Sequence, residues 1–143
     1  NSGEVALPIG DVKEPFIDVD DIAEVAAAAL IDPAHIGKLY EVTGPELLSF
    51  SEAVSSIAAA SGRSIRYRQI PAVEYKAAME QAGVPQDMIS LVLYLFTTVL
   101  DGRNANVTDG VSQALARPPH RFADFARRAA GTGVWSAETP PTV

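Results

Sequence analysis

Residues 15–43 constrain the architecture more than any other stretch of this chain. "PFIDV", Pro15 to Val19, reads as a short buried strand. A helix is expected from Asp20 to about Ile31, rich in alanine and stopped by Pro33, with Gly37 turning the chain. "LYEVT", Leu39 to Thr43, alternates and is bounded by glycines, so it reads as a second strand. Strand, helix and strand in immediate succession imply a largely parallel sheet, because the helical crossover returns the chain to run in the same direction.

The segments on either side extend this pattern. Residues 1–15 carry Gly3, Pro8, Gly10 and Pro15 and read as a loop with a short strand at Val5–Leu7. "LSFSE" places Ser49 at a helix start with Glu52 three residues on, a capping box, and the helix should end near Gly62. "SIRYRQI" alternates as a half-exposed strand, and Pro71 to Gln81 is a further helix stopped by Gly83 and Pro85. Gln86–Leu100 is expected to be one helix, apolar all round, which favours burial, in this chain or against a partner. Thr108 is a candidate cap for a short helix through Ala116, and Pro118–Pro119 precede a last helix, Arg121–Ala130. The fold class is therefore α/β and helix-rich, with a small partly parallel sheet of about three strands and a carboxyl-terminal helical cluster. At 143 residues the chain is read as a single domain over 1–135, with 136–143 ("SAETPPTV") a disordered tail. Three strands are few for a free-standing α/β domain. Together with a first residue that is not methionine, this suggests a processed chain or part of a longer one.

Composition removes several classes of function. A net charge of −7 would repel a phosphate backbone, so no nucleic-acid partner is expected. Arg117, Arg121, Arg127 and Arg128 read as a solvated face rather than a binding patch. Without cysteine there are no disulfides, thiol catalysis or thiolate metal sites, which fits a reducing cytoplasm. "NSGEVALPIG" has no basic start and no apolar run long enough for a signal peptide, and the 86–100 run is too short to span a membrane.

Chemistry-bearing groupings are few. Asp18, Asp20 and Asp21 would suit acid–base work or a divalent cation, but no histidine lies near in sequence. The favoured reading is structural, with Asp20 capping the helix and Asp21 complementing its dipole. His35 and His120 stand apart from any spaced ligand or nucleophile; His120 retains a place as a pocket-lining residue. Phe16, Tyr75, Tyr94 and Phe96 are candidates to line an apolar ligand pocket, against the plainer reading as core. No catalytic, metal-binding or cofactor-binding residue is assigned, since no nucleophile elbow, zinc helix or glycine-rich phosphate loop occurs.

"PFIDVDDIAEVAAAAL" followed by "GKLYEVTGPELLSFSEAVSSIAAASGRSIRYRQIP", then "AMEQAGVP" and "FADFARRAAGTGVW", resembles the carboxyl-terminal half of NmrA-like proteins, atypical short-chain dehydrogenase/reductases. The resemblance covers nearly the whole chain. It implies the distal part of a Rossmann fold, in which "FIDVDDIA" joins the nucleotide-binding part to a substrate-binding lobe. NAD(P) would then be the cofactor of a full-length parent, held by an amino-terminal half, with none expected on this chain alone. The chain departs from the usual short-chain dehydrogenase site: Lys13, Lys38 and Lys76 have Ile9, Ala34 and Ala72 four residues earlier, so Tyr-x-x-x-Lys is missing.

Two functions are carried forward. The first is the substrate-binding carboxyl-terminal portion of an NAD(P)H-dependent oxidoreductase, inactive alone, with residues 1–16 and helices 71–101 shaping a pocket for a small organic substrate. The alternative is a non-catalytic redox-sensing regulator or protein-interaction module. The expected partners are the missing amino-terminal half, or a second copy through helix 86–100.

Overall fold

A computed structural model describes residues 3–136. Four short strands form two separate pairs among the described residues. β1 (Glu4–Leu7) runs parallel to β4 (Arg66–Gln69), and β2 (Lys13–Glu14) runs antiparallel to β3 (Leu48–Ser49). Six helices surround them: α1 (Val19–Ile31), α2 (Phe50–Ser61), α3 (Ala72–Gln81), α4 (Gln86–Tyr94), α5 (Gly110–Leu115) and α6 (Phe122–Gly131). The result is a helix-rich α/β fold with a small parallel pair of strands. No helix among the described residues is long and apolar enough to cross a membrane.

Local signals set most boundaries. In α2 both bonds of the capping box form: the Glu52 amide donates to Ser49 Oγ at 3.2 Å, and the Ser49 amide donates to Glu52 Oε2 at 2.7 Å. Gly62 closes α2 at φ +67°, a conformation a side chain would oppose. In β4 the alternation turns Tyr67 inward between exposed Arg66 and Arg68, and the Tyr67 hydroxyl donates to the Ile9 carbonyl. The core is assembled from small side chains: buried Ile9, Val54 and Ile70, Val25 and Val111 on the packed helices α1 and α5, and Ala53 and the fully buried Ala126 on the packed helices α2 and α6.

Several expectations are corrected. Residues 15–19 and 39–43 are not strands. They approach closely enough that a Cβ on Gly44 would sit 1.8 Å from the Phe16 carbonyl oxygen, yet only one backbone bond links them, from the Gly44 amide to the Pro15 carbonyl at 3.2 Å. Apolar alternation favours an extended backbone, but a strand needs a ladder, and neither segment finds a full one among the described residues. Helix α1 begins one residue early, so Asp18 rather than Asp20 is the cap, accepting from the Asp20 amide at 3.1 Å. Thr108 does not cap α5; its side chain donates to the Glu41 carbonyl instead, and the helix starts at Gly110. The run from Gln86 is not one α-helix: after Tyr94 it widens into a π-helical turn over Leu95–Val99. Nor is it covered, since Ile89 alone is buried within α4 while Met88, Leu91, Tyr94 and Leu95 face outward. The tail from 137 onward lies outside the described residues.

Candidate functional site

Aromatic side chains converge where β2, β3, α2, α3 and the π turn meet. Phe16 stands edge-on to Phe50 at 5.2 Å between ring centres, Phe50 to Phe96 at 6.1 Å, and Phe96 to Tyr75 at 5.7 Å. Such edge-to-face pairs set the positive rim of one ring against the negative face of the next. Phe96 is delivered by the π turn, where one extra residue per turn breaks the regular ladder; such turns are frequent at functional sites. The cluster continues through Phe122 at 5.5 Å from Phe16, then Phe125 and Trp135.

Two carboxyl groups border this cluster. Glu14 ends β2, two residues before Phe16, and its Oε1 is buried without a hydrogen-bond partner. Burial, and secondarily the charge of Asp101, pushes the Glu14 carboxyl above the ordinary range. Asp101 follows the π turn and is gripped by the Arg103 fork, Nε and Nη2 donating at 2.9 and 2.7 Å; this holds its pKa down to about 2. Burial thus works against the Glu14 anion, while the Arg103 fork favours the Asp101 anion.

Of the residues singled out from sequence, Phe16, Tyr75 and Phe96 are brought together, with Phe50 as the link. Tyr94 is 56% exposed and forms no ring pair with them. His120 is also elsewhere: its backbone amide donates to Asp21 Oδ2 and its Nδ1 to Asp21 Oδ1, both at 2.7 Å. Asp21 is 0% exposed and also accepts from Arg117 Nη1 at 2.8 Å. Burial alone would raise its pKa, but the His120 amide, Arg117 and the His120 ring outweigh it and leave the carboxyl below the ordinary value. Asp21 is a fastener between α1 and the segment before α6. Asp20 lies in the first turn of α1, within 3.6 Å of Arg128, which also grips Asp18. The remaining carboxyl-terminal arginines are paired too: Arg117 with Glu24, Arg121 with Glu46 and Arg127 with Asp124, so they form no free basic face. His35 is taken up by the Tyr40 hydroxyl at 2.7 Å.

Sequence reading missed Phe50, Phe122, Phe125, Trp135 and Glu14. Phe50 directly follows the cap Ser49, and the three-residue spacing of Phe122 and Phe125 marks one helical face. Nothing local marks Glu14. The cluster sets four aromatic rings edge to face, with the Glu14 carboxyl two residues before the first of them.

The NAD(P)H azoreductase of Xenophilus azovorans is 38% identical over 125 residues, 87% of this chain and 44% of the relative. An uncharacterized oxidoreductase of Bacillus subtilis, YesF, is 36% identical over 135 residues, 94% of this chain and 46% of the relative. The chain thus spans under half the length of the curated relatives it matches. The triphenylmethane reductase of Citrobacter sp., solved also with NADP(H), superposes with a TM-score of 0.77 at 18% identity, over 91% of this chain and 45% of that one. An NADPH-dependent quinone oxidoreductase of Escherichia coli gives 0.76 at 20% identity over 88% and 44%. The fold is shared with these NAD(P)-dependent reductases, and since the model of the NmrA-like family matches residues 1–122, this chain belongs to that family.

Proposed function

We propose that the chain is the substrate-binding carboxyl-terminal portion of an NAD(P)H-dependent oxidoreductase whose substrate is a small planar aromatic electron acceptor. The observation that carries this reading is the Phe16–Phe50–Phe96–Tyr75 cluster at the π turn, bordered by the unpartnered Glu14 carboxyl. Relatives named for reducing azo compounds, triphenylmethane dyes and quinones support the choice of substrate class.

The residues present do not fit the pyrophosphate of a dinucleotide. Pyrophosphate is held by a glycine-rich turn and a free helix N-terminus. Here the start of α1 carries Asp18, Asp20 and Asp21, the start of α2 is closed by Glu52, and the uncapped starts of α3, α4 and α6 follow Pro71, Pro85 and Arg121 rather than a glycine-rich turn. The cofactor therefore belongs to a separate nucleotide-binding half. The outer side of α1 and the segment after it, with Val19, Ile22, Leu30, Ile31, Ile36 and Leu39 all exposed, is the surface that half would cover. Residues 15–19 and 39–43 would gain their missing ladder there.

The test is to assay the chain joined to its nucleotide-binding half against quinones and azo dyes with NADPH. Turnover that falls at least tenfold on Phe96→Ala supports the reading. Tight NADPH binding with no turnover of any acceptor favours instead a regulatory, non-catalytic role, for which the outward-facing Met88, Leu91, Tyr94 and Leu95 would supply the contact surface. The 143-residue chain alone is expected to show no oxidoreductase activity, and micromolar NADPH binding by calorimetry would overturn that expectation.

A further inference from the structure

A groove of about 600 Å³ lies between the carboxyl-terminal ends of α2 and α6, at the Trp135 end of the aromatic series. Its walls include Ser61, Arg63, Arg127 and Trp135, and its floor is made of Ala60 and Gly131. That volume is in the range that holds drug-sized ligands.

We propose that this groove binds a planar aromatic anion, its ring laid on the Trp135 indole and its carboxylate or sulfonate taken by the Arg63 guanidinium. Arg63 donates through Nη1 to the Trp135 carbonyl at 2.8 Å, which holds the cation beside the indole. Six of the eight arginines are ion-paired; Arg63, like Arg66, has no carboxylate partner among the described residues. Arg127, on the opposite wall, is already engaged by Asp124. The floor residues carry almost no side chain, so a flat molecule can approach the helix backbones.

One effect opposes an anion here. The last carbonyls of a helix carry partial negative charge, and two helices end at this groove. Hydroxyls blunt it at both ends. Ser61 Oγ donates to the Ile57 carbonyl at 2.8 Å, and Thr132 Oγ1 donates to the Ala129 carbonyl at 2.8 Å. A full, fixed guanidinium charge then dominates at hydrogen-bonding range. The groove shares Trp135 with the far end of the aromatic series, but the inference does not rest on reading Phe16, Phe50, Phe96 and Tyr75 as a substrate site.

Trp135 is the single tryptophan, so its indole N–H gives one assignable signal in a proton–nitrogen NMR spectrum. The full chain is titrated with 2-naphthoate and with its neutral isostere 2-naphthamide. Naphthoate is expected to move the indole signal in a saturable, one-to-one manner, with naphthamide at least tenfold weaker. Arg63→Gln, which keeps a donor for the Trp135 carbonyl but loses the charge, should weaken naphthoate about tenfold. Gly131→Glu adds a carboxylate to the floor where a new Cβ meets nothing within 4 Å, so it should fold normally and abolish binding. Equal affinity for the neutral isostere, unchanged binding in Gly131→Glu, or shifts confined to residues outside the groove would each overturn the proposal.

Discussion

Replacing Asp21 by asparagine isolates the fastener between α1 and the segment before α6. Asp21 is fully buried and accepts three hydrogen bonds, one from Arg117 and two from His120. Breaking a buried ion pair by removing one partner costs about 3–5 kcal/mol. Two features reduce that here. The Arg117 side chain is 30% exposed and keeps Glu24, and an asparagine carbonyl can still accept from the His120 amide. The expected loss at pH 7 is about 2 kcal/mol, a large share of the ~5–15 kcal/mol that holds a domain of this size. In urea that would lower the unfolding midpoint by about 1 M at unchanged slope. The pH dependence follows from the lowered carboxyl. A depressed carboxylate contributes stability that is fully present above its unfolded value, 3.8, and is lost as pH falls through the folded value. The gap between wild type and Asp21→Asn should be constant from about pH 7 to pH 5 and should narrow below about pH 4. A gap that is negligible at pH 7, or that persists undiminished at about pH 2.5, would refute the account.

Three further substitutions test other parts of the fold. Ser49→Ala removes the capping-box acceptor of α2 and should cost about 1 kcal/mol by urea denaturation. Gly44→Ala places a Cβ 1.8 Å from the Phe16 carbonyl oxygen, so the 15–17 and 41–44 segments must separate; a loss above about 2 kcal/mol is expected, and a neutral result would mean that they do not touch in solution. Glu14→Gln should be stabilising at neutral pH. A carboxyl whose folded pKa is raised disfavours folding once it must ionise, so the gain should disappear in acid, as followed by thermal melts across pH.

What could be read from the sequence was what neighbouring residues decide among themselves. The Ser49–Glu52 box, the left-handed Gly62 and the Tyr67 alternation act within a few residues, and each is found where the spacing placed it. "PFIDV" and "LYEVT" failed as strands because a ladder is a property of two segments. Asp21 was assigned to the helix dipole because its true partners lie at 117 and 120, beyond any local window. The site was half legible for the same reason. Phe16, Tyr75 and Phe96 stood out as aromatic, but Phe50, which joins them, looked like part of a cap. The π turn has no signature in an evenly apolar run, and Glu14 became notable only once its oxygen was found without a partner.

The distance in sequence between Asp21 and His120 also sets an order of assembly. The Asp21 carboxylate waits for an amide 99 residues downstream, and Asp18 waits 110 residues for Arg128. At about 5–20 residues per second, a ribosome takes on the order of 5–20 s to supply them. Within these residues α1 is thus made well before the groups that fasten it. In that interval a nascent chain offers a chaperone or a protease an alanine-rich coil whose anchors have yet to be translated.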